Sequence, residues 1–378
     1  MKRPFSHGLV IGKFYPPQAG HHHLIRAAAR ASNFVTVVAM PSSQESIPLQ
    51  VRLDWLRHAF REFPHVRVTG IVDDVPVDYA DPGIWDSHIE LMRQAVDSLE
   101  SSVPAACRAG RIDAVFTSEH YGDELARRFD ATSVLIDIPR HLYPVSGTSV
   151  RSDPVANWHF LTPEVRAWFC HRVVVVGAES SGTTTLSRDL AKHYRRKGGY
   201  WGVTPWVAEY GREYSHDKLA VARAIDRHKG LTPRQPNAVE WETDEFIHIA
   251  AEQTAREEMA ARSGSPLIVC DTDAFATGIW HERYVGFRRS AESFDPGFLP
   301  RRLLYILTAW RGVPFEQDGL RDGEHIRSWM HDQFVKELNR HGLPWIEVSG
   351  SPAERLYLAV SEIEQRMTAA WQFAEPLG

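Results

Sequence analysis

Residues 173–189, VVVVGAESSGTTTLSRD, constrain the chain more than any other stretch. Four consecutive valines predict a strand buried on both faces, as in a parallel sheet. A glycine-bracketed turn follows, and then helix-compatible residues run to about residue 196. Strand, glycine loop and helix in that order are the context of a P-loop. Gly177 and Gly182 allow torsions that a side chain would forbid. The N–H groups of Ser180, Ser181, Gly182, Thr183, Thr184 and Thr185 can then curl around phosphate oxygens at a helix N-terminus. The expected ligands are ATP and Mg²⁺, with the Thr184 hydroxyl on the metal. One position departs from the pattern: Thr183 stands where the motif has its lysine. The plainer alternative is a glycine turn ahead of a packed helix, which the flanking strand and helix disfavour.

The motif begins near the middle of 378 residues, so another domain precedes it. A net charge of −5 with no long basic run speaks against a nucleic-acid-binding surface. No apolar stretch reaches the ~18 residues that a membrane helix needs. Cys107, Cys170 and Cys270 lack metal or disulfide spacing, which suits a reducing cytoplasm.

Downstream of the motif, strands are expected at 203–208, 267–270, 302–308 and 345–348, with helices at 240–262 and 352–367. This is the alternation of a P-loop kinase with a parallel sheet. Acids at strand ends suit phosphoryl transfer. Glu209, Asp271 and Asp273 are the candidates to orient an attacking hydroxyl, bind Mg²⁺ or touch substrate. Segment 310–322 carries Arg311 and Arg321 and reads as a lid over the transferring phosphate or as a solvated loop. Tyr210, Tyr214 and Trp241 can stack a flat base or pack in the core.

The first half alternates in the same way. Strands are expected at 8–14, 34–40, 66–72, 113–117 and 133–138, with helices at 22–32, 48–63 and 84–99. Ligands of such sheets bind beyond the carboxyl ends of the strands. Three stretches fall there: Gly12-Lys13-Phe14-Tyr15-Pro16-Pro17-Gln18-Ala19-Gly20-His21, Ser118-Glu119-His120-Tyr121-Gly122, and Ser146-Gly147-Thr148-Ser149-Val150-Arg151. Together they resemble the nucleotidyltransferase superfamily, whose signatures are GxFxPxHxGH and a late S/T-x-T-x-x-R. In that chemistry a phosphate of one substrate attacks the α-phosphorus of a triphosphate, and charge develops on the departing pyrophosphate. Cations and an imidazole suit that charge, and Lys13, His21 and Arg151 are the expected catalytic donors. Gly12, Phe14, Gln18, Gly20, Ser146 and Thr148 are expected around the nucleotide. Gln18 replaces the family's first histidine, and an amide donates without carrying charge. His22 and His23 are expected as surface residues of the following helix.

The nucleotidyltransferase signatures, then GAESSGxxT, then EYGREY make the whole chain resemble the NadR family. The resemblance implies two α/β domains with parallel sheets: a Rossmann-like nucleotidyltransferase over 1–165 and a P-loop kinase over 166–378. It implies phosphorylation of nicotinamide riboside by ATP, and adenylylation of nicotinamide mononucleotide by ATP to give NAD and pyrophosphate. Ser118 and Glu119 would lie near the adenine, and Trp85 near the nicotinamide. Some members carry a helix-turn-helix repressor domain, for which no residues are expected here. The expected partners are these small molecules, with a homo-oligomer left open. Two rivals remain: an adenylyltransferase–kinase for another cofactor such as coenzyme A, and a nucleotide sensor whose sites have decayed at Gln18 and Thr183.

Overall fold

A computed structural model describes residues 3–78, 80–286 and 294–377. The chain separates into two compact units, residues 1–165 together with 371–378, and residues 166–370.

The first unit contains β1 (Phe5–Gly12), α1 (Ala19–Ala31), β2 (Ser32–Ala39), α2 (Leu49–Ala59), β3 (Val66–Gly70), α3 (Pro82–Ser101), β4 (Ala114–Thr117), α4 (Gly122–Phe129), β5 (Thr132–Leu135) and α5 (Gly147–Ser152). Helix α6 (Pro163–Phe169) follows at the boundary between the units. The sheet order is β3-β2-β1-β4-β5 and every pair is parallel. Its central strand is buried on both faces. Val10 packs with Leu24, Ile25, Val37 and Phe60, while its neighbour Leu9 packs with Val38, Trp85, Met92 and Val115 on the other side. Strand order reverses at β1, which opens a crevice beyond the carboxyl ends of β1 and β4.

The second unit contains β6 (His171–Val176), α7 (Thr183–Arg195), β7 (Trp206–Val207), α8 (Tyr210–His228), α9 (Thr243–Arg262), β8 (Leu267–Asp271), α10 (Ala274–Val285), β9 (Leu304–Thr308), α11 (Arg327–Arg340), β10 (Trp345–Val348) and α12 (Pro352–Ala370). Its sheet is also fully parallel, in the order β10-β9-β6-β8-β7. Val173 and Val175 face one helical layer, Val174 and Val176 the other. The loop after β6 emerges between the ends of β8 and β9, which is where a P-loop sits in such a sheet.

Helix α4 in the first unit and three helices in the second have no counterpart in the sequence reading. In α8 only Leu219 and Asp226 are buried, so its apolar stripe is too thin to show a period. Helix α10 is apolar nearly all round, which hides its period among buried residues. Helix α11 carries a legible spacing in Met330, Phe334 and Leu338, all buried. The strand expected at 203–208 shrinks to Trp206–Val207, because a 3₁₀ turn over Gly199–Val203 takes its first residue.

His22 is not a surface residue. It is 3% exposed and its ring stacks on Phe60, with centroids 5.5 Å apart. Burial pushes its pKa down to about 4, and the nearby charge of Arg26 adds to the effect. The unfolded chain takes up a proton near pH 6.5 and the folded one resists it, so this stability is lost as the pH falls from about 6.5 toward 4. His22 alone should account for about 3 kcal/mol over that range. Denaturant melts at pH 7 and pH 4.5 should therefore differ by less in His22→Leu than in the wild type. Equal differences would show that His22 does not couple to folding.

Candidate active sites

The first cleft lies at the crevice of the first sheet. Lys13, Phe14, Gln18, Gly20, His21, Ser118, Glu119, Ser146, Thr148 and Arg151 all line it. The loop after β1, the ends of β4 and the start of α5 bring them together. Arg151 is held in place by Tyr15: its Nη1 donates to the Tyr15 carbonyl at 2.8 Å, and its guanidinium lies 4.6 Å from the ring centroid. Arg52 covers the same ring at 4.5 Å and forms a fully buried ion pair with Glu45 at 2.5 Å. Tyr15 is thus held by two guanidiniums, which fixes the loop that carries Lys13. The Lys13 ammonium donates to the carbonyl of Leu377 and stands 3.9 Å from Glu45. Residues 371–377 pack on this unit through Phe373 against Tyr15, and through Ala374 against Ser46 and the Tyr15 hydroxyl. Sequence reasoning offered no sign of that packing.

His21 lines the cleft as an uncharged imidazole. Burial pushes its pKa down to about 3, with His22 and Arg140 adding to the effect, so the ring is neutral near pH 7. Its Nδ1 accepts from the Gln18 backbone N–H at 3.2 Å, which assigns the proton to Nε2. His21 is a neutral hydrogen-bond donor here, and the cations are Lys13 and Arg151. Gln18 also has a new part. Its Oε1 accepts from Gly20 N as the N-cap of α1, and its Nε2 donates to the Val145 carbonyl at 3.4 Å. The amide does structural work that shapes the loop. Ser146 and Ser149 form a reciprocal capping box at the start of α5, with bonds of 2.9 and 3.0 Å. Gly12 and Trp85 do not line the cleft: Gly12 packs beneath the Phe14 ring, and Trp85 sits in the core under the sheet. Arg140 and Tyr143 line the cleft and were not singled out from the sequence, and His23, expected as a helix-surface residue, lines it as well; Arg140 pairs with Glu119 at 2.6 Å.

The second cleft is built on the P-loop. Gly177, Ser180, Thr183, Thr184, Glu209, Asp271 and Arg321 line it. Gly182 takes φ 93°, a left-handed conformation. A Cβ on Gly177 would stand 2.3 Å from Thr308 Oγ1, so only glycine fits there. Ser181 is buried and braces the loop from within, through the Ala178 carbonyl and Thr308 Oγ1, each at 2.6 Å. Thr185 faces out on the exposed side of α7.

Asp271 ends β8 and is 4% exposed. Burial raises its pKa to about 6, while hydrogen bonding from the Thr184 hydroxyl and the charge of Arg188 pull it down. Glu209 is pushed up to about 8, first by burial and next by the charge of Asp271. Two carboxyl groups with displaced pKa values beside a phosphate loop are what proton abstraction from a hydroxyl requires. Among the described residues no three His, Cys, Asp or Glu side chains cluster as a metal cage. Mg²⁺ at a P-loop needs no such cage: one hydroxyl, one carboxylate, phosphate oxygens and water suffice. The adjacent Thr184 and Asp271 fit that donor set.

Three expected residues lie elsewhere. Asp273 is fully buried in the core, where it pairs with Arg302 at 3.1 Å, accepts from Tyr305 Oη at 2.7 Å and caps α10. A loop acid that also fits the N-cap position takes the buried cation in preference to a ligand. Tyr210 lies under Arg256 at 4.4 Å, outside the cleft lining. The cleft wall is instead aromatic at Trp241 and Tyr284, whose rings are 5.4 Å apart, with Phe246 behind. Arg311 is exposed and lies off the cleft. Arg321 points in, positioned by Asp318 at 3.4 Å and the Glu316 carbonyl at 2.9 Å. Glu179 was also missed: it ties the P-loop to Arg283 at 2.6 Å and to Gly323 N at 2.8 Å.

Two parallel α/β units, the second with a P-loop beside a strand-end aspartate, define a two-domain nucleotide-binding protein. A model of the AAA domain family matches residues 172–355. The chain is a homologue of NadR along nearly its whole length. It is 22% identical over 377 residues to the trifunctional NAD biosynthesis/regulator protein NadR of Escherichia coli (strain K12), covering 95% of this chain and 83% of the relative. The protein of the same name from Salmonella typhimurium is 22% identical over 382 residues, covering 97% and 84%. Two solved structures share the fold across 96% of both chains: NadR in complex with NR, with TM-score 0.65 and 20% identity, and NadR in complex with NAD and AMP-PNP, with TM-score 0.63 and 21% identity.

Proposed function

We propose that this protein works in NAD biosynthesis, with a different reaction in each unit. The second unit phosphorylates nicotinamide riboside with ATP. The first transfers the adenylyl group of a second ATP to the nicotinamide mononucleotide so formed, giving NAD and pyrophosphate. The observation that carries the reading is the second cleft, whose lining combines the P-loop, the carboxyl groups of Glu209 and Asp271 and the Trp241–Tyr284 wall. That wall suits a flat base, and the carboxyl groups suit a hydroxyl that must lose its proton. In its ionised form, the minor one near pH 7 at a pKa of about 8, Glu209 accepts that proton as the hydroxyl oxygen bonds to the γ-phosphorus, the bond from that phosphorus to the bridging oxygen breaks and ADP leaves; Arg321 takes up the charge that develops on the phosphate oxygens. Mg²⁺, held by Thr184 and Asp271, would neutralise the β- and γ-phosphates. In the first cleft, Lys13 and Arg151 hold the triphosphate while the mononucleotide phosphate attacks the α-phosphorus, and His21 donates its Nε2–H to the oxygens around the reacting centre. No helix among the described residues is long and apolar enough to cross a membrane, and the cytoplasm, where ATP is supplied, is the expected site of action.

Incubation of the purified protein with nicotinamide riboside, ATP and Mg²⁺ should yield nicotinamide mononucleotide first and NAD after it. Binding of ATP with no turnover of either pyridine substrate would favour a sensor, and turnover of pantetheine compounds would favour the coenzyme A reading. Arg321→Ala should lower kcat for riboside phosphorylation about tenfold, roughly 1.4 kcal/mol of transition-state stabilisation. Arg311→Ala should leave it unchanged, since that side chain lies off the cleft. Equal effects of the two substitutions would remove Arg321 from the proposed role.

A further inference from the structure

Arg327 and Arg355 are nearly inaccessible, at 5% and 6% exposure. Buried guanidiniums normally pair with carboxylates. Among the described residues neither of these forms an ion pair with Asp or Glu, and both direct their donors at backbone carbonyls. Arg327 donates to Ser180 O and Trp310 O, both at 3.1 Å, and to Val313 O at 3.0 Å. Arg355 donates to Ser181 O at 2.6 Å, Ala309 O at 2.9 Å and Gly350 O at 3.0 Å. Two consecutive carbonyls of the P-loop, those of Ser180 and Ser181, are therefore each gripped by a separate cation.

The direction of that grip matters. In a trans peptide the C=O and the following N–H point opposite ways. Holding the Ser181 carbonyl toward Arg355 turns the Gly182 N–H away from it. Arg327 holds the Ser180 carbonyl where Ser180 itself takes φ 56°, a left-handed conformation that costs energy for a residue with a side chain. A cation at the carbonyl end polarises each peptide: Arg355 thereby strengthens the Gly182 N–H as a donor, whereas the Ser181 N–H already donates to the Ala178 carbonyl at 3.2 Å, so Arg327 contributes its charge and no further loop donor. Carbonyl dipoles also leave the guanidinium's net charge intact, one peptide unit behind the loop.

We infer that Arg327 and Arg355 supply, from behind the phosphate loop, the positive potential for a triphosphate that a lysine at position 183 would supply from in front. They are positioning residues, acting through the Ser180 and Ser181 peptides. This rests on reading the second cleft as a triphosphate site, and it explains how that loop holds three charged phosphates with Thr183 in the lysine's place.

The test is equilibrium binding of AMP-PNP with Mg²⁺, with AMP as control, alongside thermal melts that report folding. Arg355→Met and Arg327→Met should each weaken AMP-PNP at least about tenfold and weaken AMP much less. Arg355→Lys keeps the charge and loses the fork, so it should stay within about threefold of the wild type. Thr183→Lys added to Arg355→Met should restore most of the lost affinity, which a purely structural brace would not allow. The inference is overturned if folded Met variants bind AMP-PNP like the wild type. It is equally overturned if Arg355→Lys loses as much as Arg355→Met, or if Thr183→Lys restores nothing. Should Arg355→Met fail to fold, the Arg327→Met and Arg355→Lys arms decide. If the wild type does not bind AMP-PNP, the triphosphate reading of the second unit is what fails, and this inference falls with it.

Discussion

Arg151→Ala should cut NAD formation from nicotinamide mononucleotide and ATP at least about a hundredfold, near 3 kcal/mol of transition-state stabilisation. The side chain reaches the first cleft from the last turn of α5 and is fixed against Tyr15 by a 2.8 Å bond and by its stack on the ring. A donor already in position has no reorganisation to undergo when the pyrophosphate departs. Lys13, whose pKa burial lowers and whose ammonium is engaged by the Leu377 carbonyl, cannot replace it without moving. His21→Ala should have the smaller effect, about tenfold, because the neutral ring offers one uncharged hydrogen bond. Both variants should still phosphorylate nicotinamide riboside at the wild-type rate. NAD formation by Arg151→Ala at an undiminished kcat/KM would remove the first cleft from the proposed chemistry.

Asp271→Asn should reduce riboside phosphorylation by at least about a hundredfold, with adenylyl transfer intact. The amide keeps the shape and the hydrogen bonding to Thr184 but lacks the charge on which the neighbouring residues depend. Asp271 is the second cause of Glu209's raised pKa, after burial, so the substitution should lower that pKa while leaving it above an ordinary glutamate. The loss of rate would then come from the phosphate side of the cleft, and added Mg²⁺ should not recover it. Single-turnover phosphorylation at saturating Mg²⁺ separates the cases: a rate within about threefold of wild type would show that another group holds the phosphates.

The strongest local signals lie in the places where backbone geometry leaves few choices. The four valines of β6 could only be a doubly buried strand, and Gly177 and Gly182 could only be the turn after it, since one lacks room for a Cβ and the other takes a positive φ. The motifs at 12–21 and 146–151 are short, yet each follows a strand end, where a parallel sheet collects its ligand. Their sequence separation did not obscure them, because residue types and strand order together point to one crevice.

Other features depend on what a side chain finds nearby in three dimensions. Asp273 has the chemistry of a ligand and the position of a strand-end acid, yet Tyr305 of β9 and Arg302 just before that strand meet it and draw it into the core. The charge of His21 is not legible in the sequence, and burial makes the ring neutral. Gln18 looks like a lost histidine, and the Val145 carbonyl across the cleft gives it a structural task. Tyr210 and Trp241 are equally plausible bases' partners in the sequence; the path of α8 and α9 sends one under Arg256 and the other to the cleft wall. Local sequence determined the strands, the phosphate loop and the two ligand-binding ends, because torsions and burial period are properties of neighbours along the chain. The charge state of His21, the loss of Asp273 from the cleft and the arginines gripping the P-loop carbonyls were decided by tertiary structure alone, because desolvation and partner choice depend on residues brought together from elsewhere in the chain, 29 positions apart for Asp273 and Arg302 and 174 for Ser181 and Arg355.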